Sequence, residues 1–280
     1  LFHTAALLHD DVIDSSETRR GKPSTHTAFA FDHRAKGWEG DSAAFGQAGA
    51  ILAGDIALMA SGRALHAAMA QLPEAPRDRV AILLHDTIDL VSAGQYLDMK
   101  LAVQPIDAIA DQEADIRATM RAKTASYTSE APLAMGAIAA GASDDTVSRL
   151  RSVGTLMGVA FQLRDDVLGL TGTPEVTGKP VGDDLREGKR TLIVWHAWTR
   201  AKKPSHKAAL RRVLGDRTAS DADIASAVAI IESLGAFDAV EDEITETTRV
   251  VRRTIGGLDL LEPYAAILDG IAADTANRDR

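Results

Sequence analysis

At 280 residues the chain is long enough to bury a substantial core, in one large domain or two ordinary ones. It has 40 acidic against 31 basic residues, and the net charge of −9 offers no basic footprint for a nucleic-acid partner. The absence of cysteine excludes disulfides and thiolate metal sites and suits a reducing cytoplasm, where we expect the protein to act.

Strand signals are scarce, and an aromatic share of only 4% favours closely packed helices over a β-sandwich. The 3.6-residue periodicity predicts helices at 2–15, 42–71, 77–103, 112–140 and 144–170, then at 189–202, 205–214, 220–234, 237–256 and 258–276. Pro73, Pro76, Pro105, Gly141, Gly188, Pro204 and the Gly256-Gly257 pair punctuate them. Ser220 with Asp223 three residues on reads as a capping pair. Residues 15–41 and 171–188 read as long loops, the kind that serve as lids or binding loops. No repeat, linker, signal peptide or uninterrupted membrane-length apolar run is visible, so one all-α domain over 1–280 without a membrane span is expected.

Two aspartate clusters carry the chemistry. Asp10, Asp11 and Asp14 close the first helix, with Asp10 and Asp14 stacked on one face. Asp165 and Asp166 stand near the end of another, with Gln162 one turn earlier. Such pairs are often solvated helix ends, but here they sit where the helix dipole disfavours negative charge and therefore ask for cations. Basic residues follow each cluster: Arg19, Arg20 and Lys22 after the first, Lys179 and Lys189 after the second. Hard oxygen donors point to Mg2+ and the cations beside them to a polyanion such as diphosphate. The eight histidines have no metal-ligand spacing and read as structural or surface residues, His9 being merely adjacent to the acids.

The stripe Leu84, Ile88, Val91, Gln95, Asp98 and Ala102 turns from apolar to polar halfway, either lining a polar cavity or emerging into solvent. Lys123, Thr124 and Tyr127 share one face of the next predicted helix, where a lysine beside a hydroxyl suits a diphosphate oxygen or stands solvated.

Five stretches together resemble the trans-isoprenyl diphosphate synthase (polyprenyl synthetase) family: LLHDDVIDSSETRRGKPSTH, AILAGDIAL, GQYLDM, KTASYTSEAPLAMGAIAAGA and FQLRDDVLGLTGTPEVTGKPVGDDLREGKRTL, in the family's order. The resemblance implies a helical bundle around a central apolar cavity, as a homodimer, joining isopentenyl diphosphate head-to-tail to an allylic prenyl diphosphate. It further implies Asp10, Asp11, Asp14, Asp165 and Asp166 as Mg2+ ligands. Arg19, Lys123, Lys179 and Lys189 would hold the allylic diphosphate, and Arg20 isopentenyl diphosphate. Gln95, Asp98 and Gln162 would be cavity-side groups, while Thr124 and Tyr127 would steady the carbocation.

Two departures stand out. Gly169 occupies the third aspartate position of the second motif, leaving Asp183 or Asp184 to supplement Asp165. The family's upstream Gly-Lys-x-x-Arg segment has no counterpart, so an N-terminal segment is expected to be missing. By the family's chain-length rule, the small Ala5 and Ala6 leave the elongation floor open, favouring a C20 or longer product. Residues 37–55 and the DDxxG variant are similar to geranylgeranyl-type synthases of actinobacteria. The competing readings are a class I terpene cyclase, disfavoured by the RRG run, and a regulatory subunit, disfavoured by the retained aspartates.

Overall fold

The fold is all-α in a computed structural model that describes residues 1–172 and 181–276. These divide into two compact units, residues 1–77 and residues 78–172 with 181–276.

In the first unit, α1 (Phe2–Ile13) is followed by a two-residue hairpin, β1 (Thr18–Arg19) and β2 (Lys22–Pro23), then by α2 (Thr25–Ala35) and α3 (Ser42–Met69). The predicted loop at 15–41 thus contains both the hairpin and a helix. The hairpin turn is Arg20-Gly21, both at positive φ (54° and 70°), the geometry a tight two-residue turn requires. Asp41 starts α3 by accepting hydrogen bonds from the backbone N–H groups of Ala43 and Ala44. The buried residues of α3 are mostly small, Gly46, Ala50 and Gly54, so neighbouring backbones and rings approach closely. A Cβ on Gly49 would sit 2.9 Å from the Phe29 ring. The remaining surface of α3 leaves Leu52, Ile56 and Met59 more than 60% exposed. Among the described residues α3 is the one helix long and apolar enough to cross a membrane, by length and composition only. It carries Asp55 and Arg63 within that length.

The second unit begins within α4 (Glu74–Val103) and continues through a 3-10 turn (Ile106–Asp111), α5 (Glu113–Thr119) and α6 (Ala131–Ala139). Between α5 and α6, Met120–Glu130 is π-helical, so the predicted helix over 112–140 exists with a widened middle. Next come α7 (Asp144–Thr171), α8 (Asp183–Glu187), α9 (Leu192–Arg200) and α10 (Pro204–Val213). The chain ends with α11 (Asp221–Ser233), α12 (Ala236–Gly256) and α13 (Tyr264–Ala276). The predicted loop at 171–188 therefore holds a short helix, and α13 starts six residues later than expected from 258. The capping pair forms: Ser220 Oγ accepts from the Asp223 backbone N–H and donates to its carboxylate at 2.7 Å. The core gathers Leu163, Leu192, Ile193, Trp198, Leu210 and Ile231, each at most 2% exposed.

The buried positions of α4 are Val80, Thr87, Gly94 and Leu101, a seven-residue repeat. The expected stripe from Leu84 to Ala102 is offset from it and half-buried along its whole length, rather than core at one end. Small residues at the contact, Thr87 and Gly94, hid the true core face from a reading based on hydrophobicity.

Candidate active site

In the first unit the last turn of α1 bears Asp10 and Asp11, and Asp14 caps it. Asp11 is buried, and the hairpin explains how: it folds Arg19 back so that Nη2 and Nε donate to Asp11 Oδ1 at 2.5 and 2.9 Å. Nη2 also reaches Asp10 Oδ2 at 3.4 Å. Burial works against the Arg19 charge, but the hydrogen bond and charge of Asp11, with Asp10 and Asp14, hold the guanidinium above its ordinary pKa. Arg20 is exposed, on a left-handed backbone that costs a non-glycine residue about 1–2 kcal/mol. Ala5 is buried and Ala6 half-buried on the same helix.

His9 is not merely adjacent to the acids. Its Nε2 lies 3.2 Å from Asp55 Oδ1 and 3.2 Å from the Ile51 carbonyl, both acceptors, so Nε2 carries the hydrogen. A Cβ on Gly54 would strike the imidazole under 3.0 Å away. The sequence signal was present in the LAGD stretch, but nothing in spacing alone joined it to His9.

In the second unit Lys123 Nζ donates to Asp98 Oδ2 at 2.6 Å, while Thr124 Oγ1 donates to Gln162 Oε1 at 2.6 Å. The two neighbours therefore engage different helices, α4 and α7, rather than sharing one face as predicted. Gln162 Nε2 in turn donates to Asp166 Oδ1 at 2.7 Å. Asp166 is buried, and its carboxyl is pushed well above the usual range, first by burial and next by the charge of Asp184. The Gln162 hydrogen bond opposes that rise, Asp165 adds to it, and Lys189 opposes it. Lys189 Nζ bridges Glu187 at 2.7 Å and Asp184 at 3.2 Å.

Asp184 stands against the glycine that breaks the motif: a Cβ at residue 169 would lie 2.7 Å from Asp184 Oδ2. Gln95 and Tyr127 are half-buried, Asp165 is exposed, and Lys179 lies outside the described residues. Next to Lys189, the Arg190 guanidinium is 7% exposed and donates through Nη2 to the Gln104 carbonyl at 2.9 Å, leaving Nε and Nη1 without partners. A separate cavity of about 590 Å³, lined by Arg164, Glu241, Arg249, Arg252 and Asp269 among others, includes none of the expected site residues.

Among the described residues no three acidic or histidine side chains converge as a ready-made metal cage. Mg2+ in general keeps several waters and is held by one or two carboxylates together with substrate phosphates. Asp184 and Asp165 each raise the buried Asp166 carboxyl by their charge, a repulsion between hard oxygen donors that a cation would relieve.

The polyprenyl synthetase family model matches residues 1–231, a span that includes both aspartate clusters. The chain belongs to the polyprenyl synthetase family. It is 36% identical over 248 residues to the geranylfarnesyl diphosphate synthase of Aeropyrum pernix, covering 85% of this chain and 67% of that one. With the geranylgeranyl diphosphate synthase of Mycobacterium tuberculosis it shares 36% over 235 residues, 81% of this chain and 59% of the relative. The chain thus matches about two thirds or less of the length of these relatives. Among solved structures, a geranylgeranyl pyrophosphate synthase of Corynebacterium glutamicum, complexed with isoprenyl diphosphate and magnesium, superposes with a TM-score of 0.91. Identity there is 37%, and the match covers 100% of this chain and 76% of that one. Polyprenyl synthetase membership accords with the all-α fold.

Proposed function

We propose that this chain is a Mg2+-dependent trans-prenyltransferase that condenses isopentenyl diphosphate with an allylic diphosphate, giving a C20 or longer all-trans product in the cytoplasm. The observation that carries the reading is the repulsion that Asp184 and Asp165 exert on the buried Asp166, with Lys189 on Asp184, in a polyprenyl synthetase that also keeps Asp10, Asp11 and Asp14. Both units would serve one reaction as a single catalytic domain.

When bound, Mg2+ would neutralise the diphosphate and stabilise it as a leaving group, with Asp10, Asp11, Asp14, Asp165 and Asp166 as its ligands. Arg19, Lys123, Lys179 and Lys189 add fixed positive charge on the same leaving group. Arg19 exchanges part of its bond to Asp11 for phosphate oxygen. The allylic C–O bond breaks, its electron pair leaves with pyrophosphate, and the double bond of isopentenyl diphosphate, anchored by Arg20, attacks the allylic cation. Loss of a proton from the new cation to pyrophosphate closes the step. Thr124 and Tyr127 present oxygen to the cation, and Gln95, Asp98 and Gln162 hold the polar wall.

The exposed Ile51, Leu52, Ile56 and Met59 of α3 support assembly as a homodimer, because large apolar side chains left in water along one helix favour a protein partner. A second reading has one observation behind it. The chain is 31% identical, over 284 residues, to a protein of Geobacillus stearothermophilus named heptaprenyl diphosphate synthase component 2. A chain that works only with another component would be inactive alone. Incubating the purified protein with labelled isopentenyl diphosphate, each allylic starter and Mg2+ separates the two. Labelled prenyl diphosphate that disappears in Asp11→Asn supports the proposal, and no product from any starter overturns it.

A further inference from the structure

Three glycines of two different helices press against the π-helical segment Met120–Glu130. A Cβ on Gly94 of α4 would lie under 3.0 Å from the backbone N of Lys123. One on Gly158 of α7 would lie under 3.0 Å from Cα of Ala125, and one on Gly154 of α7 would lie 2.6 Å from Cα of Glu130. All three glycines are buried, and the atoms they face are backbone, which cannot swing aside as the tip of a side chain can. A π turn is wider than an α turn and rare outside functional sites. Helices can flank it this closely only where they carry hydrogen in place of a side chain.

The segment so held carries the polar groups of this unit's site. Lys123 reaches Asp98, one turn along α4 from Gly94, and Thr124 reaches Gln162, one turn along α7 from Gly158. The Gly94 and Gly158 contacts are thus each paired with a side-chain bond to the same helix. Lys123 and Thr124, adjacent in this segment, thus engage different helices, α4 and α7, from a backbone that both helices press against.

We propose that Gly94, Gly154 and Gly158 are positioning residues that clamp the π-helical segment and so set Lys123 and Thr124 for the allylic diphosphate. The inference rests on the proposed reaction for its substrate and on backbone geometry alone for the clamp. Adding a methyl group at Gly94 or Gly158 must shift the segment, and a misplacement of ~1 Å at such a site costs on the order of a hundredfold. Gly136, in the following helix, has nothing within 4 Å of an added Cβ and serves as the control.

The test compares Gly94→Ala, Gly158→Ala and Gly136→Ala in the whole chain. Binding of inorganic pyrophosphate with Mg2+ is measured by calorimetry, KM and kcat for each substrate by product assay, and folding by circular dichroism. In the first two variants pyrophosphate binding should weaken and the allylic KM rise by about tenfold or more, with the isopentenyl KM and helicity retained. Gly136→Ala should match wild type. A lower melting temperature with unchanged pyrophosphate binding would reduce the glycines to packing and overturn the proposal. If wild type itself shows no turnover, the reaction reading fails, and a crystal structure of Gly158→Ala still decides the clamp. The Thr124–Gln162 contact must then be broken or lengthened, and its retention at 2.6 Å overturns the proposal. If Gly158→Ala does not fold, Gly94→Ala, which bears on Lys123 itself, gives the same reading.

Discussion

Asp184 Oδ2 lies 2.7 Å from the point where a Cβ of residue 169 would stand, so one carboxylate fills the space that a side chain at Gly169 would otherwise take. On the proposed function, Asp184 of α8, a separate segment of the chain, would take the part of the missing third acid of the second motif. Asp184→Gly should lower turnover by on the order of a hundredfold, the loss expected when an oriented charge is removed from a leaving-group site. Gly169→Asp alone should crowd two carboxylates and cost stability. Combining both substitutions should recover much of the turnover, and a double variant as inactive as Asp184→Gly would show that the two positions are not interchangeable.

The bond from His9 to Asp55 ties the aspartate-bearing end of α1 to α3. Asp55→Ala removes one acceptor from a partly exposed pair and should cost at most about 1 kcal/mol of stability. It should also raise the Mg2+ concentration needed for half-maximal activity severalfold, because the ligands next to His9 lose their anchor. Gly54→Ala, which drives a methyl group into the imidazole, should act in the same direction. Metal titrations of activity that overlay wild type for both variants would remove His9 from this role.

Ala5 and Ala6 part company in the structure, although the chain-length argument treated them together. Ala5 is 2% exposed, so Ala5→Phe should destabilise the first unit by about 1–3 kcal/mol through overpacking. Ala6 is only half-buried and can accept a larger ring. Ala6→Phe should shorten the main product by at least one isoprene unit, as read by chromatography. A product of unchanged length would move the length determinant elsewhere.

His196, edge-on to Trp195 with ring centroids 4.8 Å apart, has its pKa lowered from 6.5, first by burial and then by Arg200. The unfolded chain then binds more protons than the native one in the window below pH 6.5 and above the native value. Stability must therefore fall as pH drops through that window and level off below it. His196→Gln should flatten that part of a melting-temperature profile, and an unchanged slope would assign it to other groups.

How much of this was legible in the sequence depended on what kind of signal each feature leaves. Long amphipathic helices and the order of the acidic motifs leave a pattern that periodicity reads directly, and α3, α4 and α7 lie within a few residues of expectation. The helix α2 was hidden because Gly21, Pro23 and Gly37 bracket a segment rich in histidine and charge. The π turn left no trace, since the residues of Met120–Glu130 suit an α-helix equally well and only the close glycines on α4 and α7 distinguish the two. Partners such as Asp55 for His9 and Asp184 for Gly169 are set by tertiary approach, which residue spacing does not encode.

With Asp166 ionised, the bonds from Thr124 through Gln162 to Asp166 can run in only one direction, because the carboxylate accepts and the amide nitrogen must face it. The threonine hydrogen is then committed inward, and the oxygen lone pairs turn outward. A neutral hydroxyl becomes a dipole of fixed sign, its electron-rich end offered to whatever positive centre comes opposite. In that state polarity at residue 124 is set by a charge two links away, and because burial favours the neutral carboxyl, a cation that holds Asp166 ionised would also fix the sense of that hydroxyl.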